Sequence, residues 1–187
     1  DLLADSREVH ILDLPGFGQS PVPEEVWSTA DYAEAVLSYL DKHKLQHIDL
    51  LGHSFGGRVS IQLASTYPQR VRKLILLNSA GISYKRPFLK ELRIQSISIL
   101  RTLVKKIDGT FNTSLYTSWF IPTFASIDYN NAGPLRNILV KTINEDLSDK
   151  ARKITCPTLL LWGEKDTETP LQIGQRLHEL ISNSELM

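Results

Sequence analysis

Ser54 lies in the run Gly52-His53-Ser54-Phe55-Gly56, a serine with a glycine two residues before it and two after. A strand pattern at residues 47–51 (HIDLL) precedes it, and Val59, Leu63 and Tyr67 follow at helical spacing until Pro68 ends the pattern. A serine at such a strand-to-helix turn has a specific chemical use. Small neighbours permit a tight, strained backbone that presents the hydroxyl at the carboxyl end of a strand. There it stands beside a helix N-terminus, whose free N–H groups can stabilise negative charge. That is a setting for nucleophilic attack on a carbonyl carbon. The same residues also suit an ordinary glycine-rich turn with no chemistry.

The elements that must position this serine alternate along the chain. Residues 8–13 (EVHILD) predict a strand, closed by Pro15-Gly16-Phe17-Gly18. Ser28 and Asp31 have capping-box spacing, and Tyr32, Val36 and Leu40 continue at helical spacing. Further strands are predicted at 47–51, 71–77 and 154–162. Thr169 reads as an N-cap, with Pro170 opening a helix through about Ile181. Strands alternating with helices imply parallel pairing and an α/β sheet covered on both faces.

Between the third and fourth strands the alternation stops, too long a gap for a normal crossover. Residues 81–153 are therefore a candidate lid, inserted between core segments 1–80 and 154–187. Lys85-Arg86-Pro87 opens it, followed by a helix with Leu89, Leu92, Ile99, Leu103 and Ile107 near one face. The aromatic stretch Tyr116, Trp119, Phe120, Phe124 and Tyr129 comes next, then a second helical segment from Pro134 to Leu147. Trp119 and Phe120 suit an apolar acyl pocket and equally suit the core of a small insertion. Seven basic residues (Lys85, Arg86, Lys90, Arg93, Arg101, Lys105 and Lys106) lie in or beside the first helix, opposed by Glu91. They read as a solvated outer face, so membrane contact is not expected.

Composition narrows the classes. The chain has 187 residues, with 21 Lys+Arg against 21 Asp+Glu, and that balance gives no support to a nucleic-acid surface. A single cysteine, Cys156, excludes an internal disulfide framework and a multi-cysteine zinc site, and it reads as a buried, inert thiol. No apolar run is long enough to span a bilayer. The expected compartment is the cytoplasm. The chain begins with Asp1 and shows no apolar leader, although a leader could have been cut away.

Four segments together resemble the α/β-hydrolase fold superfamily, in particular its lid-bearing group with a serine nucleophile. They are Asp13-Leu14-Pro15-Gly16-Phe17-Gly18-Gln19-Ser20, Gly52-His53-Ser54-Phe55-Gly56-Gly57, Leu77-Asn78-Ser79-Ala80-Gly81, and Pro157-Thr158-Leu159-Leu160-Leu161-Trp162-Gly163-Glu164-Lys165-Asp166. The resemblance covers almost the whole chain, the lid least specifically. It implies a mostly parallel sheet with helices on both faces and a helical lid, with the N-terminal strands and the last strand missing from this chain. By the same resemblance Ser54 is the nucleophile, the Phe55 N–H is one oxyanion donor and Asp166 is the triad acid. Glu164 and Glu168 are nearby alternatives that read as solvated loop charges. Asn78 and Ser79 occupy the other position from which relatives supply an acid, and neither can serve. Serine at position 54 departs from the dehalogenase and epoxide-hydrolase branches, whose nucleophile is a carboxylate.

The resemblance also implies parts that the sequence does not supply. A catalytic histidine is expected beyond the chain end, since His10, His43, His47, His53 and His178 all fit the role badly. The second oxyanion donor is expected on a loop before Asp1. One further strand belongs between the first two read here, so the chain is expected to be a piece of a longer hydrolase, or to associate with something supplying the strands. Alone it is expected to be inactive. The implied activity is hydrolysis of a small ester, thioester or related acyl substrate, without cofactor or metal. Hydrolysis of a carbon–carbon bond, perhydrolysis and a non-catalytic receptor on the same fold remain open alternatives.

Overall fold

The computed structural model describes residues 5–84, 88–124 and 132–187, and for 88–91, 93 and 94 the backbone alone. Four strands, β1 (Ile48–His53), β2 (Val71–Leu77), β3 (Thr158–Leu161) and β4 (Ser184–Leu186), form one parallel sheet in the order β1-β2-β3-β4. Register places His53 opposite Leu77 and Leu77 opposite Leu161. Three strands thus end level, and the loops that follow them gather at one edge, where ligands bind in parallel sheets.

Helix α1 (Thr29–Lys42) starts where the capping box predicts. Ser28 Oγ accepts from the Asp31 N–H, and Asp31 Oδ2 accepts from the Ser28 N–H at 2.6 Å. Its Tyr32, Val36 and Leu40 are buried against α2 (Phe55–Thr66), whose Val59 and Leu63 are buried in turn. Helix α2 packs on β1 and β2. Strand residues follow the two-residue period: Gly52, Leu74, Leu76 and Leu160 are buried, whereas Leu51 and Leu77 on the alternate face are exposed.

Several expectations need correction. Residues 8–13 form no strand. The segment joins no ladder with any described strand, and Ile11 is 92% exposed. A trough of about 1760 Å³ separates this segment from β1, with Val9 and Leu12 among its lining on one side and Leu50 and Leu51 on the other. Side chains hold the segment instead: Arg7 to Asp49 at 2.5 Å and His10 to the Tyr39 hydroxyl at 2.8 Å. A strand does follow the last helix within this chain, since β4 pairs with β3 from Ser184 onward. Thr169 does not cap that helix; Pro170 is the N-cap of the helix Leu171–Leu180, and the Thr169 hydroxyl is used elsewhere.

Between β2 and β3 the described residues form helices joined by irregular connections, with no strand among them. Helix α3 (Phe88–Phe111) runs 24 residues, and among its described apolar side chains Val104 is the buried one, 5% exposed. Leu92, Ile99, Leu103 and Ile107 do share a face, and that face is open; Ile99 is 63% exposed. In the last turn of α3, Asp108 accepts from the Leu115 and Tyr116 N–H groups at 2.9 and 2.8 Å, which fixes the turn into the helical stretch Tyr116–Phe120 that continues as α4 (Ile121–Phe124). The second predicted helix is shorter than expected. A single turn at Gly133–Leu135 leads into α5 (Arg136–Ile143), which Asn144 ends; α6 (Ser148–Ala151) and the helix Leu171–Leu180, here α7, complete the order. Lys85, Arg86, Tyr129 and the side chains of Leu89, Lys90, Glu91 and Arg93 lie outside the described residues.

Candidate active site

Ser54 joins β1 to α2 with φ +50° and ψ −111°, a left-handed conformation that a residue with a side chain adopts only at a cost. The surroundings enforce it. A side chain at Gly52 would collide with the Ser60 hydroxyl and come within 2.6 Å of the Gly56 carbonyl oxygen. At Gly57 it would strike the Ser79 hydroxyl. Gly56, by contrast, faces open space, so the second small residue that the turn requires is Gly57. The Ser54 N–H donates to the Leu77 carbonyl at 3.3 Å, and the Ser54 carbonyl accepts from Gly57 and Ala80. Phe55, the first residue of α2, has no intrahelical partner for its N–H, and its ring stacks on Phe17 at 5.3 Å and meets Tyr32 edge-on at 5.0 Å.

Asp166 follows β3 and is held by donors. Oδ1 accepts from the Glu168 and Thr169 N–H groups at 2.8 and 2.7 Å; Oδ2 accepts from the Thr169 hydroxyl at 3.0 Å and from the Asn78 amide. These bonds, the Thr169 N–H first, hold its pKa below the ordinary aspartate value against the opposing effect of desolvation. Asn78, at φ +41°, also accepts from the Gly163 N–H at 3.3 Å. Here the sequence reading missed a residue. Asn78 cannot be an acid, yet it holds the Asp166 carboxylate, and it directly follows Leu77, whose carbonyl holds Ser54. Glu164 and Glu168 are exposed, and Glu168 contributes its backbone N–H to Asp166.

The remaining candidates are placed as follows. Phe120 is buried, stacked on Tyr116 at 5.4 Å, while Trp119 is about half exposed and meets Phe124 edge-on at 5.7 Å. Among the described residues no histidine hydrogen-bonds to Ser54 or Asp166; His178 pairs with Ser184, and His10 with Tyr39 and Glu8. No group of three or more His, Cys, Asp or Glu side chains among them could hold a metal. No described helix is long and apolar enough to cross a membrane. Cys156, half-buried before β3, has its thiol pKa pushed up by burial. The trough beside β1 includes neither Ser54 nor Asp166 in its lining.

Arg58, four residues after Ser54, is buried although charged. Its guanidinium donates to the carbonyls of Thr142 at 2.7 Å, Glu145 at 3.1 Å and Ile143 at 3.5 Å, the carbonyls at the end of α5. Burial pushes its pKa down, and the Glu145 and Asp146 carboxylates oppose that shift.

Comparisons with known proteins agree with this architecture. The sequence model described as alpha/beta hydrolase fold matches residues 1–114. An uncharacterized hydrolase, YugF, of Bacillus subtilis is 28% identical over 198 residues, covering 99% of this chain and 72% of its own. A 2-hydroxy-6-oxononadienedioate/2-hydroxy-6-oxononatrienedioate hydrolase of Pseudomonas putida is 31% identical over 196 residues, covering 95% of this chain and 67% of its own. Among solved structures, a hydrolase from Pseudomonas aeruginosa superposes with a TM-score of 0.63 at 24% identity, covering 93% of this chain and 68% of that one. With the strained turn at Ser54 and the level strand ends already in place, the chain belongs to the alpha/beta hydrolase fold family.

Proposed function

We propose that this chain carries the nucleophile and the acid of a serine hydrolase that acts on small ester or thioester substrates. The observation that carries the reading is the strained φ of Ser54, held at a helix N-terminus on the edge where Asp166 also lies. Ser54 Oγ attacks the carbonyl carbon and gives its proton to a histidine from outside the described residues. The Phe55 N–H shares the charge of the oxyanion. Ionised Asp166 orients that histidine and stabilises its cation. The carbonyl re-forms as the alcohol or thiol leaves with the histidine's proton, and water then cleaves the acyl-enzyme.

The β2–β3 connection acts as a lid in this reading, and half-exposed Trp119 is better placed to meet an acyl chain than buried Phe120. The trough beside β1 supports pairing of a further strand there, from the same protein or a partner. A second reading, hydrolysis of a carbon–carbon bond beside a ketone, is favoured by the likeness to the Pseudomonas putida hydrolase. Both readings share Ser54 and differ in the leaving group.

Intact-mass spectrometry of the full-length protein with a fluorophosphonate probe tests the shared part. One adduct, mapped to Ser54 and absent from Ser54→Ala, supports it. Turnover of p-nitrophenyl butyrate but not of a 2-hydroxy-6-oxo-dienoate supports ester hydrolysis, and the reverse supports the second reading. A protein that takes no adduct and turns over neither compound refutes both and points to a receptor.

A further inference from the structure

Helix α5 is seated at both ends on the residues that flank Ser54. At its start, Leu135 packs against Gly16 so closely that any side chain there would collide with it. Gly16 belongs to the loop whose Phe17 stacks on Phe55. At its other end, the carbonyls of Thr142, Ile143 and Glu145 converge on the buried guanidinium of Arg58. The last carbonyls of a helix lack intrahelical partners, and a cation there also meets the negative end of the helix dipole. Arg58 therefore acts as a side-chain cap for α5, supplied from the first turns of the nucleophile's own helix.

Nearby contacts tighten the same joint. The Leu147 N–H donates to the Gly81 carbonyl at 2.8 Å, tying the return of the connection to its departure. Gly81, at φ +116°, leaves room for the Arg58 stem and Leu147; a side chain there would approach both at 3.2 Å. The Glu145 carboxylate accepts from Thr29 at the start of α1, and the Lys141 ammonium donates to the Val26 carbonyl at 2.7 Å. Of these partners, Arg58 alone lies on the helix that Ser54 begins.

We infer that Arg58 is a positioning residue: it fixes the return limb of the β2–β3 connection, residues 136–147, at a set place relative to Ser54, and so decides which acyl groups reach the nucleophile. The specificity part rests on the serine-hydrolase reading; the positioning part does not. Arg58 touches neither the serine hydroxyl nor the acid in this arrangement. Its loss should change access and leave the chemistry of Ser54 intact.

The test uses the full-length protein with Arg58→Met, which keeps the stem and removes every donor, and Arg58→Lys, which keeps the charge and a reduced donor set. In Arg58→Met, amide hydrogen exchange should rise about tenfold or more across 136–147 while β1 and β2 stay within about twofold. Fluorophosphonate labelling of Ser54, by a probe too small to need the limb, should stay within about threefold, while KM for a p-nitrophenyl decanoate rises about fivefold and kcat changes little. Arg58→Lys should recover part of both effects.

Exchange rising equally in the sheet, or labelling falling in step with turnover, would show a merely structural role and overturn the inference. Arg58→Lys behaving no better than Arg58→Met would do the same. Should Arg58→Met fail to fold, the lysine variant must still show raised exchange confined to 136–147. If the wild type takes no probe and cleaves no ester, the hydrolase reading fails, and hydrogen exchange alone still decides the positioning role.

Discussion

Ser54 and Asp166 stand at the same sheet edge, yet different forces hold them there. Ser54 is placed by backbone shape: a left-handed turn kept closed by the absence of side chains at Gly52 and Gly57. Asp166 is placed by donors, four of them, two from the backbone of its own loop and one from Asn78 across the sheet. The first arrangement stores strain and leaves the hydroxyl available. The second stabilises an ionised carboxylate and removes its freedom. In the proposed mechanism the nucleophile must be presented, whereas the orienting acid must stay put.

Substitutions at the two positions should therefore move stability in opposite directions. In the full-length protein, Ser54→Gly should abolish turnover, by about 10⁶-fold if the triad logic holds, and raise stability by about 1–2 kcal/mol through release of backbone strain. Calorimetry that finds Ser54→Gly less stable than wild type would break the comparison. Asp166→Asn should cost about 10⁴-fold in kcat and lower Tm, because its amide would set an N–H against the donors that now surround the carboxylate. A variant with unchanged Tm would mean that the donors do not hold the acid.

Smaller effects sharpen the comparison. Gly57→Ala should destabilise by about 1–3 kcal/mol through overlap with Ser79, while Gly56→Ala should change stability by less than about 0.5 kcal/mol. Denaturant melts of the pair check this, and equal losses would remove the steric account of the turn. The pH dependence is the finest probe. Asp166 has a depressed native pKa, so its stabilisation is complete above the ordinary aspartate range, near about 4, and is lost as pH falls through the native value. The Tm gap between wild type and Asp166→Asn should hold from neutral pH down to that range and close below it.

The same contrast explains what the sequence could reveal. The turn at Ser54 depends on glycines within five positions of one another, so its pattern is visible in one dimension. The capping box at Ser28 is local in the same way. Asn78 is 88 residues from Asp166, and no periodicity announces such a pairing. Thr169 was misplaced for a related reason: its hydroxyl serves Asp166, and the helix begins one residue later than an N-cap there would imply.

Residues 8–13 have the alternation of a strand, but a strand also needs a neighbour, and sequence pattern does not supply one. In β4 the opposite happens, since three residues carry too short a pattern to be noticed and pairing with β3 makes the strand. Helix α3 shows a further limit. Its apolar residues fall on one face as expected, yet helical spacing says nothing of what covers that face.

Cys156 gives the molecule a clock. It is the chain's only thiol, half-buried where the segment enters β3, and burial keeps it protonated above its ordinary range. An alkylating reagent at neutral pH should therefore react with it more slowly than with an unhindered cysteine, because little of it is thiolate. The excess of its rate in denaturant over its rate in the folded protein times the opening of that end of the sheet, without any engineered label.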